Sequence, residues 1–145
     1  MRKYNVVGVM SGTSMDGLDI AHVTLEEKEP GKWEYSINAG ITVAYEEKWR
    51  LRLSKLRHQN SMVFHKTDRY YGQFIGEQVN TFLKDNNLEA ELIASHGHTV
   101  FHQPENNVTV QIGDGNSITA MTGLPVVTNF RAIDVVLGGE GGPLV

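Results

Sequence analysis

The chain has 145 residues, 40% hydrophobic and 21% charged, enough for one domain with a core and too few for two comfortable ones. Thirteen basic and 17 acidic residues leave a net charge of -4 with only short runs of like charge, so neither nucleic acid nor an anionic membrane surface is expected as a partner. The absence of cysteine excludes disulfides and thiolate zinc sites and suits a reducing, cytoplasmic compartment.

The start, MRKYNVVGVM, is interrupted by Asn5 and has no small-residue cleavage site, so it reads as neither signal peptide nor membrane span. Residues 4–10 instead form a short valine-rich run bounded by a glycine turn, which predicts a buried strand. Residues 18–25 (LDIAHVTL) predict a second strand, and residues 33–45 contain a third after the EEKEPGK turn. Tight turns between them predict an antiparallel meander. The period then changes. Residues 46–57 carry Trp49, Leu53 and Leu56 at spacings of four and three. Residues 62–83 carry Phe64, Tyr71, Phe74, Ile75, Val79, Phe82 and Leu83 on one helical face, ending at KDNN. A buried strand at 92–95 follows, then a hairpin of 99–101 with 108–112 around QPENN. Asp114 is placed to cap a short helix through Met121, and residues 124–128 (LPVVT) predict a last strand. The tail, VVLGGEGGPLV, shows no helix or strand to close it, and suggests a chain cut before its next element. The order describes a mixed α/β sheet with packed helices, which is that of a ribonuclease H-like lobe.

Three stretches carry candidate chemistry. The first is GVMSGTSMDG, residues 8–17. A Walker loop needs G-x-x-x-x-G-K-[ST], and the lysine and spacing are missing. A dinucleotide fingerprint needs G-x-G-x-x-G opening a helix, whereas Gly8, Gly12 and Gly17 have another spacing and a strand follows. Gly12-Thr13-Ser14-Met15 matches the start of a subtilisin-type serine motif, but there the serine comes last, and here Ser14 precedes every histidine. What remains is either a plain hairpin turn or a turn whose N–H groups and hydroxyls converge on an anion. In the second case Asp16 and Asp19 would hold Mg²⁺, directly or through water.

The second stretch is SHGHTVFH, residues 95–102. His96, His98 and His102 share parity, so an unbroken strand would turn them one way and suit zinc. Gly97 and the expected turn work against that geometry and favour a polar ligand-contacting loop or structural histidines. The third is TNFRAIDVVLGGEGG after the strand PVV. Arg131 and Asp134 stand where a strand end meets a loop, where ligands collect in open α/β sheets. An arginine there suits phosphate or carboxylate, while an Arg-Asp surface pair is the alternative.

Taken in this order, GVMSGTSMDGLD, SHGHTVFHQP with TVQIGDGNSI, and LPVVTNFRAIDVVLGGEGGPLV resemble the anhydro-N-acetylmuramic acid kinases of the actin, sugar kinase and Hsp70 superfamily. The resemblance implies a first, N-terminal ATPase-type lobe over residues 1–145, with a second lobe to follow. It implies transfer of the γ-phosphoryl group of ATP to the 6-oxygen of 1,6-anhydro-N-acetylmuramic acid. Water opens the anhydro ring at the same time to give N-acetylmuramic acid 6-phosphate, in peptidoglycan recycling. On this resemblance Gly12, Thr13, Ser14, Met15, Asp16, Gly17, Leu18 and Asp19 form the ATP-binding loop, with Asp16 and Asp19 on its Mg side. His96, His98, Thr99, Gln111, Asp114 and Arg131 border the sugar.

Three departures from the family pattern stand out. Where the family has Asp-Phe-Arg, with that aspartate as catalytic base, this chain has Asn129-Phe130-Arg131. Asparagine cannot take the proton, and Asp134 is the remaining carboxylate nearby. His98 replaces the usual glutamine, and the family is more than twice as long. A lone first lobe is expected to be inactive. The alternative is a non-catalytic sugar- or nucleotide-binding homologue or an interaction module. Apolar surface facing a missing lobe would favour a homodimer.

Overall fold

The computed structural model describes residues 2–142. The final three residues of the tail motif, and Met1, lie outside the described residues. Strands β1 (Lys3–Ser11), β2 (Gly17–Glu29) and β3 (Lys32–Ala44) form the meander. Helices α1 (Glu47–Lys55) and α2 (Ser61–Asp85) follow, joined through a 3-10 turn at Leu56–His58. Then come β4 (Leu92–Gln103), β5 (Val108–Ile112), α3 (Gly115–Thr122), β6 (Val126–Val127) and α4 (Ala132–Val136). The sheet order is β3-β2-β1-β4-β5, with β6 paired to β4. β1 runs antiparallel to β2 and parallel to β4, as does β4 to β6, while β5 folds back antiparallel on β4. This mixed α/β sheet has the strand order of a ribonuclease H-like lobe, as the sequence predicts.

Alternation decides which face is covered. Val7, Val9, Leu18, Ile20 and Ile93 point to one side and pack with Trp49, Leu53, Leu56, Tyr71, Ile75, Val79 and Ile118 from the helices. β1 and β2 contribute alternate residues to the core, and α1 and α2 one stripe each. Asn60 starts α2 by accepting from the Val63 N–H at 3.0 Å, which satisfies one orphan amide of the first turn. Among the described residues no helix is long and apolar enough to cross a membrane.

Two expectations change. The predicted strands at 92–95 and 99–101 are one strand, β4, with a register shift opposite the end of β1. Gly97 makes this possible: its φ is +73°, and a Cβ there would lie 2.2 Å from the Ile112 carbonyl oxygen, so the chain bulges and continues where a side chain would have forced a turn. The tail also gains a short helix, α4, closed by backbone bonds such as Val135 N–H to Arg131 O at 3.2 Å and anchored by buried Val135.

Candidate functional site

Residues 12–16 form the turn between β1 and β2. Its tightness has two local causes. Met15 takes a left-handed φ of 55° and donates its N–H to the Gly12 carbonyl at 3.3 Å, while its side chain packs against the core. Gly17 then enters β2 so close to β3 that a Cβ would lie 2.4 Å from the Val43 oxygen. Thr13, Ser14 and Asp16 are left facing solvent. Asp19 is exposed on the uncovered face of β2, one carboxylate oxygen accepting from Thr42 Oγ1 at 2.5 Å.

Directly beneath the turn lies a buried polar group. Ser11 Oγ is 2.6 Å from the Tyr45 hydroxyl and 3.0 Å from His98 Nδ1, and the Tyr45 hydroxyl also meets that of Tyr71. Burial, with the neighbouring His96, pushes the His98 pKa down to about 4. Burial likewise raises both tyrosines above their ordinary range. At neutral pH all four groups are therefore uncharged.

Two cavities flank the turn. One, of about 300 Å³, is lined by Thr13 and Met15 from the turn, His98, Thr99 and His102 from β4, and Arg57 from the 3-10 turn. The other is a shallow apolar cleft of about 730 Å³ on the uncovered sheet face, where Met10, Asp19 and Thr42 meet Phe130 from the tail. The turn, β4 and the tail thus converge at one end of the sheet.

The three histidines do not all converge: His98 and His102 border the first cavity, but His96 does not. His98 points into the core, His102 Nδ1 is 3.0 Å from Thr109 Oγ1, and His96 turns to the tail. The bulge at Gly97 breaks their common parity, and among the described residues no cluster of three metal-ligating side chains exists. Gln111 lies beside them on β5, its Nε2 donating to Thr99 Oγ1 at 3.2 Å and to Thr109 Oγ1 at 2.8 Å. Its Oε1 is buried without a hydrogen-bond partner among the described residues. Asp114 is differently employed. It caps α3 through Ser117 N–H at 2.8 Å and pairs with Arg69 at 3.0 Å. Burial opposes its ionisation, but those bonds and the Arg69 charge win and lower its pKa.

The tail is tied together by its own charges. Arg131 Nε donates to His96 Nε2 at 2.9 Å, and its Nη1 to the carbonyls of Gly141 and Gly142 at 2.7 and 2.9 Å. Because His96 Nδ1 must then donate to the Gly97 carbonyl, 2.8 Å away, its ring is neutral. Burial, assisted by the Arg131 charge, lowers its pKa accordingly. Asp134 accepts from the Gly141 N–H at 2.7 Å and lies so close to Gly139 that a Cβ there would sit 2.3 Å from Oδ2. Asn129 is exposed with a left-handed φ of 61°.

The family model for anhydro-N-acetylmuramic acid kinase matches residues 4–145. The chain belongs to that family. Members of the anhydro-N-acetylmuramic acid kinase family are sugar kinases of peptidoglycan recycling, so kinase chemistry is the frame for this site. Among solved structures, that of Thermus thermophilus RuvC is similar at 16% identity and a TM-score of 0.46, over 96% of this chain and 72% of that one.

Within the anhydro-N-acetylmuramic acid kinase frame, the structure adds residues that sequence reasoning missed. Arg57, at the end of the helix predicted over 46–57 and not singled out in the sequence, borders the cavity with Thr13 and has no carboxylate partner among the described residues. Tyr71 reads as a core aromatic by period, and Tyr45 only as the end of the third predicted strand. Only folding reveals that the Tyr45 hydroxyl reaches Ser11, 34 residues away in sequence, and that the Tyr71 hydroxyl meets that of Tyr45.

Proposed function

We propose that this chain is the first of two lobes of an ATP-dependent kinase acting on 1,6-anhydro-N-acetylmuramic acid. The γ-phosphoryl group passes to O6 while the C1–O6 bond breaks and water adds its oxygen to C1. The products are N-acetylmuramic acid 6-phosphate and ADP, and the proton lost by water needs an acceptor. The observation that carries this reading is the cavity in which the turn residues Thr13 and Met15 meet His98, Thr99 and His102 of β4. A phosphate-type turn and a polar strand end share one opening there.

The residues present fit Mg-ATP. Mg²⁺ bound with nucleotide keeps several waters and takes only one or two protein carboxylates; Asp16 stands exposed at the turn and Asp19 is exposed just beyond it on β2. When bound, Mg²⁺ offsets phosphate charge. The N–H groups of the turn other than that of Met15, which is bonded to the Gly12 carbonyl, orient the phosphates, as dipoles converging on an anion. Thr99, which lines the cavity, presents a polar contact to the sugar hydroxyls, and Gln111 holds the Thr99 hydroxyl from behind.

A coupled ADP-release assay on the protein containing this lobe checks the reading. Sugar-dependent turnover with Mg-ATP is the expected result, and its absence sinks the kinase proposal. Asn129 favours a second reading, a homologue that binds sugar or nucleotide without turnover, because an amide cannot accept the water's proton. Calorimetry showing sugar binding without ADP release would select it.

A further inference from the structure

Tyr45 holds both ends of the turn. Its backbone N–H donates to the Asp16 carbonyl at the far end, 3.4 Å away, and its hydroxyl meets Ser11 Oγ at the near end, 2.6 Å away. The hydroxyl is itself held by the Tyr71 hydroxyl from α2, and Ser11 by His98 from β4. Ser11, Tyr45, Tyr71 and His98 are 1%, 3%, 0% and 4% exposed, so no water competes for these contacts.

The chain of contacts has one self-consistent direction. Three hydroxyls supply one proton each, and there are three contacts. With Tyr71 donating to Tyr45, Tyr45 to Ser11 and Ser11 to His98 Nδ1, every proton has an acceptor. Reversed, the buried Tyr71 proton would have none in the chain, a cost typical of an unsatisfied buried donor. The neutral His98 required as the final acceptor is what its burial enforces.

We propose that Tyr45 is a positioning residue for nucleotide binding, setting the separation between the two ends of residues 12–16 so that the N–H groups of the turn converge on phosphate. Tyr71 and His98 orient it. The proposal rests on the assignment of that turn as the phosphate site. A purely packing role is met equally by phenylalanine, which fills the same space; the hydroxyl is needed only to fix Ser11.

The test compares the full chain with Tyr45→Phe by amide hydrogen exchange of residues 12–16 and by titration with Mg-ATP and, separately, with the anhydro sugar. Tyr45→Phe is expected to speed exchange in the turn at least tenfold and weaken Mg-ATP about tenfold, with sugar affinity unchanged within twofold. Unchanged exchange and unchanged Mg-ATP affinity overturn the proposal, as does equal weakening of both ligands. Should Tyr45→Phe fail to fold, Tyr71→Phe carries the same test one contact further away, with about threefold effects expected and none overturning it. Wild-type protein that binds no Mg-ATP overturns the phosphate assignment instead, and the exchange measurement alone then decides whether Tyr45 sets the turn.

Discussion

The turn at 12–16 and the tail at 129–142 are both glycine-rich connections at the same end of the sheet, yet they are held in opposite ways. The turn is supported from below by uncharged, buried groups contributed by β1, β4, α2 and the residue after β3. Its own polar groups are left facing out. The tail is held by its own charges: Arg131 and Asp134 bind backbone groups of its glycine loop. Support drawn from the core leaves the turn's polar side chains at the surface, whereas the charged groups of the tail are occupied by its own backbone. On the proposed kinase reading, this contrast favours the turn as the phosphate site and leaves the missing base at position 129 as the question for the tail.

The largest break in that contrast is Asn129→Asp. Asparagine and aspartate both tolerate the left-handed φ of 61° found there, so the exchange adds a proton acceptor without backbone strain. A general base commonly contributes about 10² to 10⁴ in rate. In the ADP-release assay kcat should therefore rise at least about 10²-fold while the KM for ATP stays level. An unchanged kcat would put the base elsewhere.

Acid provides the next test, because it attacks the support of the turn. His98 is neutral in the fold with a pKa of about 4, against an ordinary 6.5. Between those values the unfolded chain binds the extra proton and the folded chain does not, so this contribution is fully present above pH 6.5 and is lost as pH falls toward 4. The loss is at most about 3 kcal/mol. Urea midpoints measured across this range should fall with pH in the wild type and flatten in His98→Gln, whose amide does not titrate. Equal slopes in the two proteins would remove His98 as the cause.

These two regions also differ in how much of them the sequence revealed. The meander, both long helices and the α3 cap at Asp114 follow from period and turn chemistry, because alternation and helical stripes are local records of a buried face. Gly12 and Gly17 mark the turn for the same reason. The bulge at Gly97 was hidden, since a glycine between polar residues signals a turn as readily as an interrupted strand. The pairing of Ser11 with His98 spans 87 residues, and the use of Arg131 to hold Gly141 depends on a loop closure that no local pattern records. In the tail, therefore, the charged residues that read as ligand contacts are engaged with the backbone, and Arg57, which no motif marks, borders the cavity.

Arg57 gives the smallest and most selective test. It borders the cavity shared by Thr13 and Thr99, where either a phosphate or a carboxylate could be its partner. The anhydro sugar of the proposed reaction carries a lactyl carboxylate, and a partly solvated guanidinium–carboxylate contact contributes on the order of 1 kcal/mol. Arg57→Ala should accordingly weaken the lactyl-bearing sugar about five- to tenfold and leave 1,6-anhydro-N-acetylglucosamine, which has no carboxylate, and Mg-ATP unaffected. Loss of Mg-ATP affinity instead would assign Arg57 to the phosphates, and place both ligand charges on the side of the turn rather than on the tail.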